Sequence, residues 1–178
     1  VSDPASDLVS PPVRVVHVPR AHGYVDHLQD DRVPGVVVVD DGTPSGPGWH
    51  SSRALEARWV LDHAAEFDAL HLHFGFEGRT VDQLDDLVRA LRTTGRTLVL
   101  TVHDLQNPHL RTQEAYLALL DVLVPAAEVL VTLTPGAAAE VQSRWGRRPT
   151  VVPHPHVAPL EEVGVPHPTR SPHVVGVH

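Results

Sequence analysis

The sequence contains no cysteine, which excludes a disulfide framework, a thiolate zinc site and a cysteine nucleophile. Lack of cysteine fits a reducing compartment, and the expected location is cytoplasmic. Met, Ile and Lys are absent too, and all fourteen basic residues are Arg. That is the signature of a GC-rich coding bias, so Arg in place of Lys carries no functional weight. Without Met the sequence lacks a start residue, and the expectation is a processed or partial chain. Positive charge is in deficit, with a net charge of −8, which argues against nucleic acid as a partner because such binders need a basic face. No apolar run approaches the roughly 20 residues of a membrane span. The first twelve residues (VSDPASDLVSPP) have no apolar signal-peptide core and read as a flexible lead-in. The GxGxxG fingerprint, the Walker A loop and the Gly-x-Ser-x-Gly elbow are all absent. Nucleotide triphosphatase and serine hydrolase chemistry therefore have no handle, and the dinucleotide-binding reading is lowered.

What is present is a chain of 178 residues, 42% hydrophobic, enough for one packed domain. Short Val-rich runs at 13–19 (VRVVHVP), 36–40 (VVVVD), 69–74 (ALHLHF), 97–103 (TLVLTVH), 129–133 (VLVTL) and 150–153 (TVVP) read as strands. Their nearly continuous apolar character is that of strands covered on both faces. Helical spacing runs over 52–66, 80–93 and 113–124, and a last helix opens with Thr134 as N-cap and Pro135 at N1 and stops at Gly146. Thr80 and Gln83 form a capping-box pattern. A short helix follows Gly23. The Pro/Gly-rich segment 41–48 is expected at the sheet edge. Strand–helix alternation predicts an α/β, three-layer Rossmann-like domain with a mostly parallel central sheet and helices on both faces.

In such sheets ligands bind beyond the carboxyl ends of the strands. Here those ends carry Arg20, His22 and Gly23, then Asp40 and Asp41, then His71, His73, Phe74 and Gly75, then His103 and Asp104, then His154 and His156. Four of the six ends bring histidine to one edge, against a background of fourteen histidines in all. Gly23 either serves a turn or lets backbone approach a phosphate. Asp40 and Asp41 stand where a ribose-binding acid would, although loop and cap roles suit them better. His71 and His73, two apart on a strand, share a face, and with His103 they form the pattern of a zinc site. Hydrogen bonding to backbone or ligand is the better reading of these histidines. His103 is the best single catalytic candidate, a neutral imidazole able to donate to or accept from a sugar hydroxyl. Asp104 would orient it or cap the following segment.

The ordered set of a His-Gly turn, a strand ending HLHFGFE, a strand ending TVHD, and the run VTLTPGAAAEVQSRWGRRPTVVPHPHV resembles the N-terminal domain of retaining GT-B glycosyltransferases of the large family-four type. The resemblance covers roughly residues 13–178. It implies two Rossmann-like domains facing across a cleft, with the acceptor held mostly by the N-terminal one and the nucleotide-sugar by the C-terminal one. Residues 13–156 would be the acceptor-binding domain, 157–172 the interdomain linker, and 173–178 (HVVGVH) the first strand of a donor-binding domain. By the same resemblance Gly23 lines the cleft near the donor diphosphate, His103 is the active-site histidine that contacts the transferred sugar, and His154 lies near the hinge. His22, His73, Phe74 and Asp104 complete the substrate-binding candidates. Where the family has Gly after its Asn or His, this chain has Pro155, which removes a backbone donor.

The resemblance implies glycosyl transfer from a nucleotide-diphospho-sugar to a sugar, lipid or small-molecule acceptor, with retention of anomeric configuration. It implies no cofactor and no metal held by protein ligands. Some relatives sit at the inner membrane surface, which the acidic balance here disfavours. Alone, the chain is expected to be inactive. Two other readings compete. One is a stand-alone α/β domain binding a small phosphorylated or sugar ligand. The other is a metal-dependent hydrolase built on His71, His73 and His103, which predicts stoichiometric bound zinc or manganese.

Overall fold

The computed structural model describes residues 11–28, 34–44, 50–107 and 112–156. The expected linker at 157–172, the run at 173–178, most of the lead-in and part of the 41–48 loop lie outside the described residues. Six parallel strands form one sheet: β1 (Val13–Val18), β2 (Val36–Val38), β3 (Ala69–Leu72), β4 (Thr97–Val102), β5 (Val129–Thr132) and β6 (Thr150–Val151). Their spatial order is β2-β1-β3-β4-β5-β6. The chain thus steps outward from β1 to β2, then crosses back over β1 to β3. The point between β1 and β3 where the order reverses is the topological switch point. The fold is α/β, a Rossmann-like three-layer arrangement.

Every anticipated strand is present, but each stops one or two residues short of its apolar run. The final residues leave the ladder because they turn toward the carboxyl edge. His73 shows the transition, its N–H still bonded to the Val18 carbonyl at 2.8 Å although β3 has ended.

Five α-helices connect the strands: α1 (Gly23–Asp26), α2 (Ala57–His63), α3 (Val81–Thr94), α4 (Glu114–Ala126) and α5 (Pro135–Trp145). The two ends of α3 follow local rules. Thr80 Oγ1 accepts from Gln83 N at 3.3 Å while Gln83 Oε1 accepts from Thr80 N at 2.9 Å, a closed capping box. Thr134 caps α5, Pro135 occupies its first turn, and Gly146 ends it at φ +66°, a conformation that favours glycine. The single helix anticipated over 52–66 is instead a 3-10 turn (Arg53–Leu55) and α2, separated by an extended Glu56. The break has a non-local cause. Asp41, on the loop after β2, accepts hydrogen bonds from the Ser52 hydroxyl and from Ala54 N, which fixes the 3-10 turn in place. Within α2, Val60 is buried while Leu61 is 48% exposed.

The two faces of the sheet differ. Val16, Val18, Leu70, Leu72, Leu98 and Leu100 point to one face and form the main core with α2, α3 and α4. Because the crossovers β2→β3 to β5→β6 all run in the same direction, α2 to α5 share that face. The β1→β2 crossover runs the other way and puts α1 opposite. Among the described residues that second face therefore has only a four-residue helix, and its strand positions are not continuously apolar. They include His17, His71 and Thr101 at the centre, with Val36 and Val129 exposed at the margins. The apolar runs were read as covered on both faces. The structure adds a difference between them: one face is the hydrocarbon core, and the other, also buried at its centre, carries histidines.

Candidate functional site

The site grows from strand alternation. Val16 and Val18 face the core, so His17 between them faces away. The same rule turns His71 and His73 to that face from β3. Register pairs His17 directly with His71, and the ring centroids of His71 and His73 stand 3.9 Å apart. His17 Nδ1 lies 3.1 Å from His73 Nε2, and His71 Nε2 lies 2.8 Å from the Thr101 hydroxyl. Three imidazoles thus meet at the β1/β3 switch point. Gly75, at φ +88°, then turns the chain away behind Phe74.

Above these three lies a ring of aromatic contacts centred on Tyr24. Its ring meets His103 edge-on at 4.5 Å, His154 at 4.9 Å and His73 at 5.4 Å. His103 also meets Phe74 edge-on at 5.4 Å, and Phe74 meets His22 at 4.7 Å. Edge-to-face packing of this kind suits the ring quadrupoles and holds each imidazole in one orientation. The anticipated residues His22, Gly23, His73, Phe74, His103 and His154 therefore do converge. Tyr24 and His17 were not anticipated. The available signal for His17 was a lone polar residue inside an apolar strand.

His22 is the N-cap of α1, its Nδ1 accepting from Tyr24 N at 3.2 Å, which leaves the ring proton on Nε2. His154 Nδ1 donates to its neighbour's carbonyl, that of Pro155, at 2.7 Å. Asp104 does not orient His103. Its side chain is exposed and makes no bond to that ring, while its carbonyl accepts from the Tyr116 hydroxyl at 3.0 Å. The helix that Gly23 starts has four residues, too few for aligned dipoles to sum, and its Tyr24 N–H is already used by His22. A Cβ on Gly23 would meet nothing within 4 Å, so protein packing alone does not require glycine there. Gly23 borders a half-open depression of about 480 Å³ lined also by Arg20, Ala21, Asp26 and Val38. Asp40 ion-pairs with Arg20 at 3.5 Å and caps the loop by accepting from Gly42 N at 2.9 Å.

Burial decides the charge state of the cluster. It lowers His71 to about 3 and His73 to about 2, helped by repulsion from neighbouring imidazoles. Burial lowers His103 to about 4, reinforced by His154 and His22, and it also lowers His17. These rings are neutral at pH 7, each with one N–H and one lone pair. Two of their nitrogens, His73 Nδ1 and His103 Nε2, are buried with no hydrogen-bond partner among the described residues. Such a group costs about 1–3 kcal/mol, so the site holds two polar atoms able to gain from a ligand. No protein-family model matches the chain, and no curated protein matches it.

Proposed function

We propose that this chain is the acceptor-side domain of a retaining GT-B glycosyltransferase. One observation carries the reading: imidazoles and aromatic rings from the segments that follow β1, β3, β4 and β6 converge at the carboxyl edge of the sheet, around a His103 Nε2 with no partner among the described residues. Carbohydrate asks for that combination. Ring faces cover C–H surfaces, and neutral donors and acceptors meet hydroxyls without the desolvation penalty of a charge. The resemblance in motif order supports the same assignment.

In this reading His103 bonds a hydroxyl of the transferred sugar. Phe74 and Tyr24 hold its ring, and His22 and His154 border the pocket. The donor is held mainly by a second domain, as the GT-B fold implies. The acceptor oxygen attacks the anomeric carbon as the bond to the donor phosphate breaks, and the acceptor proton passes to the departing phosphate oxygen. His103 stays neutral throughout and acts as a positioning hydrogen-bond partner in the transition state.

The test is a panel of nucleoside diphosphate sugars offered to enzyme made from the complete native reading frame. Expected is release of nucleoside diphosphate from at least one donor, a product of retained configuration by NMR, and about a 100-fold loss of turnover on His103→Ala. A panel with no donor consumed by folded enzyme overturns the reading. The depression beside Arg20 and Gly23 favours a second reading, a domain that binds a small phosphorylated sugar without transferring it. Saturable binding of sugar phosphates with no turnover of any donor would select it.

A further inference from the structure

We propose that His17, His71 and His73 form a binding site for one divalent transition-metal ion of the zinc class, held between β1 and β3 beneath the Tyr24 pocket. The three rings come from two adjacent parallel strands, His17 opposite His71 in register and His73 two residues on, on the same face. Each offers a ring nitrogen, and the three nitrogens lie within 4.8 Å of one another. Ligand nitrogens on a tetrahedral zinc stand about 3.3 Å apart, so closing the set takes side-chain movements of about 1 Å.

The chemistry of the donor set points to the ion. Three imidazoles and no carboxylate suit zinc, cobalt, nickel or copper, and disfavour magnesium and calcium, which take oxygen. Thr101 stands where an outer partner belongs, with its hydroxyl 2.8 Å from His71 Nε2. Such a bond fixes the ring and directs His71 to ligate through Nδ1. Hydrogen bonding alone leaves the cluster incomplete. Its rings satisfy one another once, Thr101 takes one nitrogen, and His73 Nδ1 has no partner among the described residues. Three protein ligands leave a coordination position for water or a substrate oxygen, as in zinc sites that do more than hold the fold. His103, whose ring centroid lies 5.9 Å from that of His73, is outside the set.

The site stands independently of glycosyl transfer, and its test reads metal rather than turnover. The chain, stripped with chelator, is titrated with zinc against a chromophoric competitor. Expected is one tight equivalent. Replacing Thr101 by Val is expected to weaken binding about 10–100-fold, and His71→Gln or His17→Gln by at least as much. His154→Gln and His63→Gln are expected to leave it unchanged, which separates the site from incidental binding by a chain with fourteen histidines. Because a cluster variant can fail to fold, X-ray absorption on the zinc-loaded wild-type chain is the second measurement. Three imidazoles in the zinc shell are expected. A shell of oxygens, or binding equally reduced by His63→Gln and His71→Gln, overturns the proposal.

Discussion

Asp68 sits at the amino end of the sheet, away from the histidines, and ties β1 to β3 there. Its carboxylate accepts from Arg14 N at 2.8 Å, from the Arg14 guanidinium at 2.8 Å and 3.1 Å, and from Arg96 at 3.4 Å. The hydrogen bonds from Arg14, with attraction from Arg14 and Arg96, hold Asp68 down at about 2. The sign follows from linkage. Above the ordinary aspartate value of about 3.9 the contribution to stability is complete, and it is lost as pH falls through the folded-state value. Asp68→Asn should therefore melt below the wild type at pH 6, with the gap narrowing toward pH 3. A gap of constant size across that range in thermal scans would refute the assignment. Tyr24 is the second residue whose role is specific. Its ring, 5% exposed, packs on three imidazoles, and its hydroxyl makes no hydrogen bond among the described residues. Tyr24→Ala is expected to cost about 3 kcal/mol in urea denaturation, and Tyr24→Phe under about 1 kcal/mol. Equal costs would mean that the hydroxyl, not the ring, organises the site.

At the scale of elements, the loop after β2 and the start of α2 form one unit through Asp41. Burial works to raise this carboxyl, but bonds from the Ser52 and Thr43 hydroxyls and from the Thr43 and Ala54 N–H groups hold it below the ordinary value. Asp41→Ala leaves those donors unpaired, and the expected cost is about 1–3 kcal/mol. Hydrogen exchange should show Ala54 and Leu55 losing protection well ahead of α3. Uniform loss across both helices would show that Asp41 stabilises the whole domain and not this junction. The same contact explains what was legible in the sequence. The capping box at Thr80, the Pro135 start and the Gly146 stop are written in neighbouring residues, so α3 and α5 were readable nearly to the residue. The split of 52–66 was not, because its cause lies eleven to thirteen residues upstream. At the site, His71, His73, His103 and His154 were readable from their positions at strand ends. His17 was not, because only register with β3 brings it to His71, and Tyr24 was not, because its partners come from β3, β4 and the segment after β6.

For the whole molecule, the β1/β3 pair is the seam on which the sheet is organised. Strands to one side descend from β1 to β2, and all others follow from β3. Asp68 fastens the amino end of this seam and the three histidines meet near its carboxyl end. No helix among the described residues is long and apolar enough to cross a membrane, and the second sheet face has little helical cover there. An ion bound by His17, His71 and His73 binds the folded chain, since the unfolded one has no preformed set, and so adds stability by mass action. At free zinc of one hundred times Kd the gain is about 2.7 kcal/mol, or about 5–10 °C in Tm for a chain of this size. Some zinc will bind the unfolded histidines and reduce the shift without changing its sign. Chelator should reverse the gain, and hydrogen exchange should slow in β1 and β3 more than in β5 and β6. A Tm unmoved by saturating zinc, or lowered by it, would mean that metal prefers the unfolded chain and that the histidine cluster is a hydrogen-bonded feature of the seam.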